Sequence, residues 1–523
     1  MLSDVITRLA DRPHGEVSAS IYETARLVSF APWLTGHDRR VRHVIDSQRA
    51  DGGWGGPGDY SLVPTLSATE ALLGLLDRSE DSDSLTPAID RGLASAFRRL
   101  SDRPSPLPDT PGVELILLSL VTQVNEHLAA LGEREVPGLD QWKGEARLPL
   151  PAGVAPETLD AVRARVSSGA DLPDKFVHLL EVAGPSARRA PAVRPAATGS
   201  VGASPAATAA WLGKDGVAVP ESPLRYLEST AADHSWLAPC TYPITTFERS
   251  WVLSGLSRAG LTYAAPASMV TEMSAALKPL GACTSSGLPM DADTTAVALY
   301  TLELLNAQVD PEVLRRYELP THFCTWPGEE GESVSVNAHV LDVFGAHARR
   351  QSRSDHHMTR RKLSWWLLER QEPDGSWTDR WHTSPYYATA SCALALDHYG
   401  IEAPAVRAAV GAAVRWTLDT QRPDGSWGRW YGTAEETAYA LHTLLMTRPV
   451  TDHRWRGAVD VAVAQGTEFL LARTEAADWL ENEPPLWVDK DLYLPAAIVR
   501  SSVVTAAHLA QVSSPFTAQH RAI

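Results

Sequence analysis

Apolar positions recur at three- and four-residue steps in "TAVALYTLELL", "SVNAHVLDVFGAHA", "ATASCALALDHYG" and "ETAYALHTLLMT", the spacing that builds one face of a helix. Period-two alternation is scarce. Gly, Pro and Asp punctuate the intervals, so the pattern predicts an almost wholly α-helical protein with short helix-helix connections. One region breaks it: residues 183–210, "AGPSARRAPAVRPAATGSVGASPAATAA", are rich in Ala, Pro and Ser and poor in large apolar side chains. This stretch is expected to be a mobile loop or linker.

A repeat lies over the helical pattern. "QRADGGWGG" begins at Gln48, "QEPDGSWTD" at Gln371 and "QRPDGSWGR" at Gln421, with a degenerate "ADHSW" ending at Trp236. The spacing of the last two clear copies leaves room for about two helices. In each copy Asp-Gly supplies a turn, the Gln amide can bond free backbone groups at a helix end, and Trp can pack over the junction. Such helix pairs stack into an α/α barrel, and by itself the repeat is structural.

Composition narrows the partners. With 523 residues and 44% hydrophobic content, the chain is long enough for two or three domains with sizeable cores. Lys and Arg number 47 against 63 Asp and Glu, a formal charge of -16 without a basic block, which argues against nucleic acid. The N-terminal stretch lacks a signal pattern, and no apolar run approaches the ~20 residues of a membrane span, so a cytoplasmic protein without integral membrane contact is expected. Cys240, Cys283, Cys324 and Cys392 are scattered without metal-binding spacing and read as reduced core residues. Tryptophan is abundant, 17 against 8 Phe, which calls for an explanation from architecture, from a site, or from both.

The candidate chemistry starts at "GLPMDADTTAVALYTLELL". Asp291 and Asp293, two apart, do not share a face of a continued helix and belong to its entry turn, where capping and chemistry both remain open. Other segments supply company: Asn337 and His339 in "SVSVNAHVL", Trp381, Tyr386 and Tyr387 in "DRWHTSPYYATA", and Trp430, Tyr431, Glu435, Glu436 and Tyr439 in "WGRWYGTAEETAYAL". Aromatic faces and buried carboxylates both stabilise positive charge without offering a good nucleophile, the lining a carbocation needs.

These residues resemble the class II, diphosphate-retaining terpene cyclases, relatives of squalene-hopene cyclases and plant copalyl diphosphate synthases. The Gln/Asp-Gly/Trp copies are similar to that superfamily's QW motifs, and "MDADTT" is similar to its DxDD motif. Further likenesses run through "VSASIYETARLV", "PLRYLES", "SVSVNAHVL", "KLSWWLLERQEPDGSW", "WHTSPYYATA", "EETAYAL" and "LWVDKDLYLP". The resemblance implies an all-α fold of two α/α barrels, with an N-terminal segment (1–19) joining the β barrel, an inserted γ domain (20–220) and a β domain (221–523). It implies that Asp293 protonates the terminal isoprene double bond, that Asp291 hydrogen-bonds and orients it, and that Asn337 holds the same acid. The last aspartate of DxDD is replaced by Thr294, the mark of a bacterial DxDTT subgroup.

The acid must keep its proton near neutral pH although a helix N-terminus favours the carboxylate, and burial is expected to prevail. Cation stabilisation is assigned to Trp381, Tyr386, Tyr387, Trp430 and Tyr431, and terminal deprotonation to His339. A DDxxD cluster, with which class I synthases remove diphosphate, is absent, so the diphosphate should survive. Lys490 matches a family position for binding it, and Glu228 one for Mg2+. The expected substrate is farnesyl or geranylgeranyl diphosphate, closed to a drimane- or labdane/halimane-type bicycle. Alternatives are a squalene-type triterpene cyclase, a zinc-dependent prenyltransferase-like barrel and a non-catalytic toroidal binding module.

Overall fold

The structure is a computed structural model and describes residues 2–78, 84–101, 107–132, 135–144, 146–150, 154–216, 219–329, 331–351, 356–447 and 453–513; the outer ends of the expected domains, Met1 and 514–523, lie outside these. Two closed rings of helices make up the chain. The first joins Ile21–Phe30, Leu62–Leu76, Val113–Leu131, the 3-10 segment Leu180–Ala187 and Pro205–Leu212, each packed on the next and the last on the first. The second joins Thr245–Arg258, Ala292–Leu304, Val334–Gln351, Pro385–Tyr399, Ala434–Met446 and Ala496–Ser513 in the same closed manner. Outer helices pack on each ring, giving the two α/α barrels that the periodicity and the repeat together led to.

The repeats are hinges between inner and outer helices. Trp54, Trp377 and Trp427 are fully buried, and each indole N–H donates to the carbonyl ten residues earlier, of Val44, Leu367 and Thr417, at 2.6, 2.9 and 2.7 Å. The paired glutamines, Gln48, Gln371 and Gln421, each donate to two carbonyls at 2.8–2.9 Å, one in their own turn and one on a following helix, at Ala88, Ala409 and Ala462. Gly52, Gly375 and Gly425 take φ of +80°, +98° and +84°, where a side chain is strained and a Cβ would strike backbone. The degenerate copy does not follow this plan: Trp236 itself has φ +72° and packs against Gly36.

One boundary and one segment differ from expectation. Helix Glu221–Asp233 places Tyr226 and Leu227 in one core with Leu27, Trp211 and Ala238, so the first lobe's packing runs past 220. Residues 183–210 are not a mobile linker: Ala183, Ala187, Ala190, Val193 and Val201 are buried in that core. Small residues there permit close approach rather than disorder. A Cβ on Gly199 would stand 2.3 Å from the Ser222 carbonyl oxygen. The Leu2–Asp11 helix packs with the second lobe, Val5 and Leu9 sharing a core with Leu253, Leu256 and Val503.

A short antiparallel hairpin, Trp487–Val488 paired with Leu492–Tyr493, ties the lobes together. At its tip the Asp491 carboxylate accepts from Ser20 Oγ at 3.0 Å and the Tyr22 amide at 3.2 Å, at the start of the first lobe's first inner helix. Among the described residues no helix is long and apolar enough to cross a membrane.

Candidate active site

A cavity of about 610 Å3 lies where the lobes meet, within the usual range for ligand sites. The first lobe contributes the 107–115 loop and the stretch around Phe176 and Leu179; the second contributes the N-terminal ends of its inner helices and the hairpin. Aromatic rings form much of its wall. Phe247 and Trp251, one turn apart on Thr245–Arg258, have centroids 4.5 Å apart, and Trp487 stands edge-on 5.4 Å from Phe247. Trp326 and Trp381 form a second edge-to-face pair at 5.5 Å.

Asp291 and Asp293 both line this cavity, but differently. Asp291 is the N-cap of Ala292–Leu304: its Oδ1 accepts from the Thr294 amide at 2.6 Å. Burial, reinforced by the neighbouring charge of Asp293, pushes its carboxyl up to about 7. Thr295 Oγ donates to the Asp291 carbonyl at 2.5 Å and accepts from the Ala282 amide at 2.9 Å, while Thr294 Oγ meets Thr284 Oγ at 2.9 Å. Thus the threonines after the two acids anchor the helix start to the preceding chain.

Asp293 instead meets His339 Nδ1 with Oδ1 at 2.6 Å. Burial works against an imidazolium at His339, but the charge and hydrogen bond of Asp293 outweigh it and raise the histidine above its ordinary value. His339 lies behind the acid, among residues of a smaller inner cavity with Trp251 and Tyr387. Against the expectation of a terminal base in the main cavity wall, His339 thus stands behind Asp293 with its Nδ1 engaged by that carboxyl. Two more assignments change. The two carboxyl groups of Asp291 and Asp293 are not hydrogen-bonded to each other; the Asp293 backbone amide acts on the Asp291 carboxylate instead. Asn337 does not hold the acid either: its amide accepts from the Phe323 amide at 2.8 Å and donates to the Phe323 and Ser333 carbonyls at 3.0 and 2.8 Å, pinning the 323 segment to its helix.

Of the rings assigned to cation stabilisation, Trp381 lines the main cavity. Tyr387 stands in a second row, accepting from Trp251 Nε1 at 3.1 Å. Tyr386 packs on Trp416 at 4.7 Å, away from the cavity. Trp430 faces Tyr60 of the first lobe at 6.3 Å, and Tyr431 is 48% exposed. The reason is local: the Trp427–Thr433 bridge sends Trp427 into the core and leaves 430 and 431 at the outside of the turn. Phe247, Trp251, Trp326 and Trp487 were missed as site residues, although Phe247 and Trp251 share one helical face and Trp487 sits in the "LWVDKDLYLP" stretch.

Lys490 cannot meet a diphosphate directly. It is fully buried in the first lobe, paired with Glu23, with Glu181 at 2.9 Å, and donating to Ser204 Oγ at 2.8 Å. Burial disfavours its charge, but Glu181 and Glu23 outweigh that and hold it protonated. Glu228 is exposed on the outer helix Glu221–Asp233, remote from the cavity lining. The cations at the cavity mouth are instead Lys175, which is exposed, and Arg380, which reaches Glu329 at 2.8 Å and, across the lobes, Asp109 at 2.9 Å. The described residues contain no group of three or more His, Cys, Asp or Glu arranged to hold a metal.

The chain is similar to known proteins along most of its length. Residues 330–483 match the family described as Squalene-hopene cyclase C-terminal domain. The ent-copalyl diphosphate synthase of Streptomyces sp. (strain KO-3988) is 40% identical over 503 residues, covering 96% of this chain and 94% of that protein. The labda-7,13-dienyl diphosphate synthase of Streptomyces clavuligerus is 41% identical over 506 residues, covering 94% and 89%. Among solved structures, the ent-copalyl diphosphate synthase from Streptomyces platensis superposes with a TM-score of 0.90 at 39% identity, covering 97% of this chain and 99% of that one.

Proposed function

The chain belongs to the class II, diphosphate-retaining terpene cyclases of the squalene-hopene cyclase superfamily, and we propose that it closes geranylgeranyl diphosphate to a bicyclic, labdane-type diphosphate. The observation that carries this reading is Asp293, bonded to His339 and facing an aromatic cavity whose lining, among the described residues, includes Lys175 and the ion-paired Arg380. The names of the relatives favour a C20 chain and a labdane skeleton over the C15 drimane alternative.

The chemistry follows from that polarity. His339 binds one carboxyl oxygen of Asp293, and the acid gives its proton to the terminal double bond of the substrate. The tertiary cation that forms is attacked by the next double bond, then by the one after it, closing two rings. Phe247, Trp251, Trp487 and Trp381 offer π faces to the migrating charge and no strong nucleophile to trap it. Loss of a proton ends the sequence, and the C–O bond to diphosphate is never broken.

Arg380 and Lys175 are assigned to the diphosphate in place of Lys490. Mg2+ is assigned to Glu329 and Asp109 in place of Glu228: Glu329 Oε2 is buried without a hydrogen-bond partner, and Mg2+ needs only one or two carboxylates when phosphate and water complete its shell. Bound there, the ion would neutralise diphosphate charge. A cytoplasmic reaction suits this ionic substrate.

Incubation with geranylgeranyl or farnesyl diphosphate and Mg2+, followed by phosphatase and mass spectrometry, tests the proposal. A bicyclic C20 alcohol is expected from the first substrate. Recovery of geranylgeraniol alone would overturn it.

A further inference from the structure

Behind the aromatic wall the second lobe buries a carboxylate that the reaction above leaves unused. Glu435, in the first turn of Ala434–Met446, is fully inaccessible. Its Oε1 accepts from Trp487 Nε1 at 2.8 Å, His382 Nε2 at 3.2 Å and Tyr439 Oη at 3.4 Å. The histidine must be a donor here, because its Nδ1 already accepts the Ser384 amide at 3.0 Å. Glu435 Oε2 is buried with no hydrogen-bond partner, and among the described residues no Lys or Arg forms an ion pair with this carboxylate.

Such a group is costly in a protein core, and a neutral acceptor would satisfy the same three donors. Its partners give the charge a direction. Trp487 lines the substrate cavity. His382 stacks on Tyr387 at 4.5 Å and stands edge-on to Trp487 at 4.9 Å. One oxygen therefore fixes a ring in the cavity wall and a second row behind it. The ends of the inner helices that face the cavity are N-termini, whose partial positive charge opposes a carbocation. A fixed anion on this side offsets it.

We infer that Glu435 is a positioning residue for cyclisation, an anion that holds the Trp487 indole through its N–H and raises the ring's electron density toward the carbocation. The inference rests on the cyclase reading and names a charge behind the wall rather than a proton donor or base.

The test uses the full chain with Mg2+ and two substrate analogues, one carrying a protonated amine in place of the first cationic carbon and one uncharged but of the same shape. Glu435→Gln keeps the size and an acceptor oxygen while removing the charge. It should weaken the ammonium analogue by about 30-fold, leave the uncharged analogue within about twofold, and lower kcat with KM unchanged. Trp487→Phe should show the same selective loss, and the double variant should lose little more than either single one, because the two act as a unit. Equal binding of both analogues to wild type and Glu435→Gln overturns the inference, and so does equal loss of both, which marks a structural role. If Glu435→Gln does not fold, the ratio of analogue affinities in Trp487→Phe decides alone. A wild-type enzyme that forms no ring refutes the cyclase reading itself; an active wild type with an unaffected Glu435→Gln refutes only this inference.

Discussion

The two barrels share one construction and differ in what they do with interior charge. In the first lobe Arg26 and Glu70 meet as a buried ion pair, with Ser67 and Ser29 hydroxyls completing the set. Burial alone would raise the Glu70 carboxyl, but Arg26 and the surrounding hydrogen bonds hold it far below the ordinary carboxylate range. The second lobe also pairs Arg258 with Asp342, but there Asp291 is raised to about 7 and, among the described residues, Glu435 has no Lys or Arg partner. Carboxylates buried beside an apolar cavity can hold an acidic proton at one point and favour a cation at another.

The largest break in this contrast is expected from Asp293→Asn, which should lower cyclisation by at least ~1,000-fold, in the upper part of the range for general acids, with an unfolding midpoint close to wild type. Retained turnover in a product assay would remove the acid from Asp293. The mirror experiment is Arg26→Met. Leaving buried Glu70 without its Arg26 partner, with only His127 and Ser29 beside it, should cost about 3–5 kcal/mol of stability in denaturant unfolding while activity per folded molecule holds. Equal loss of activity would mean that the first lobe's interior takes part in the chemistry.

A smaller effect is expected at the mouth. Arg380→Ala should raise KM by roughly tenfold to a hundredfold, about 1.4–2.8 kcal/mol, with kcat nearly unchanged, as steady-state kinetics would reveal. The smallest concerns Asp291. Its folded value near 7 lies above the ordinary aspartate value of 3.8, so between roughly pH 4 and 7 the folded chain keeps a proton that the unfolded chain has released. This contribution to stability is present at low pH and is lost as pH rises through about 7. Asp291→Asn keeps a good N-cap and should flatten that part of the stability profile; an unchanged slope would place the titration elsewhere.

Much of the fold was legible because its signals are local. Helical spacing, the Gln/Asp-Gly/Trp turns and caps such as Asp291, Ser384 and Thr433 each act within a few residues. The placing of Asp293 at a helix start was legible for the same reason, since that start is written in the adjoining "DADTT". Trp430 and Tyr431 misled because neighbours in an aromatic run point to opposite sides of a turn. Lys490 misled because its partners, Glu23 and Glu181, lie in the other lobe, more than three hundred residues away along the chain.

By itself, the sequence determined an all-α chain of stacked helix pairs and the helix start that carries Asp291 and Asp293, because periodicity, capping and turn chemistry are short-range. Tertiary structure alone decided that Asp291 caps while Asp293 pairs with His339, that Trp251 and Trp487 rather than Trp430 and Tyr431 face the cavity, and that Glu435 is buried without a cation. Those facts depend on desolvation and on ring closure, which bring distant segments to one point and have no counterpart in local spacing.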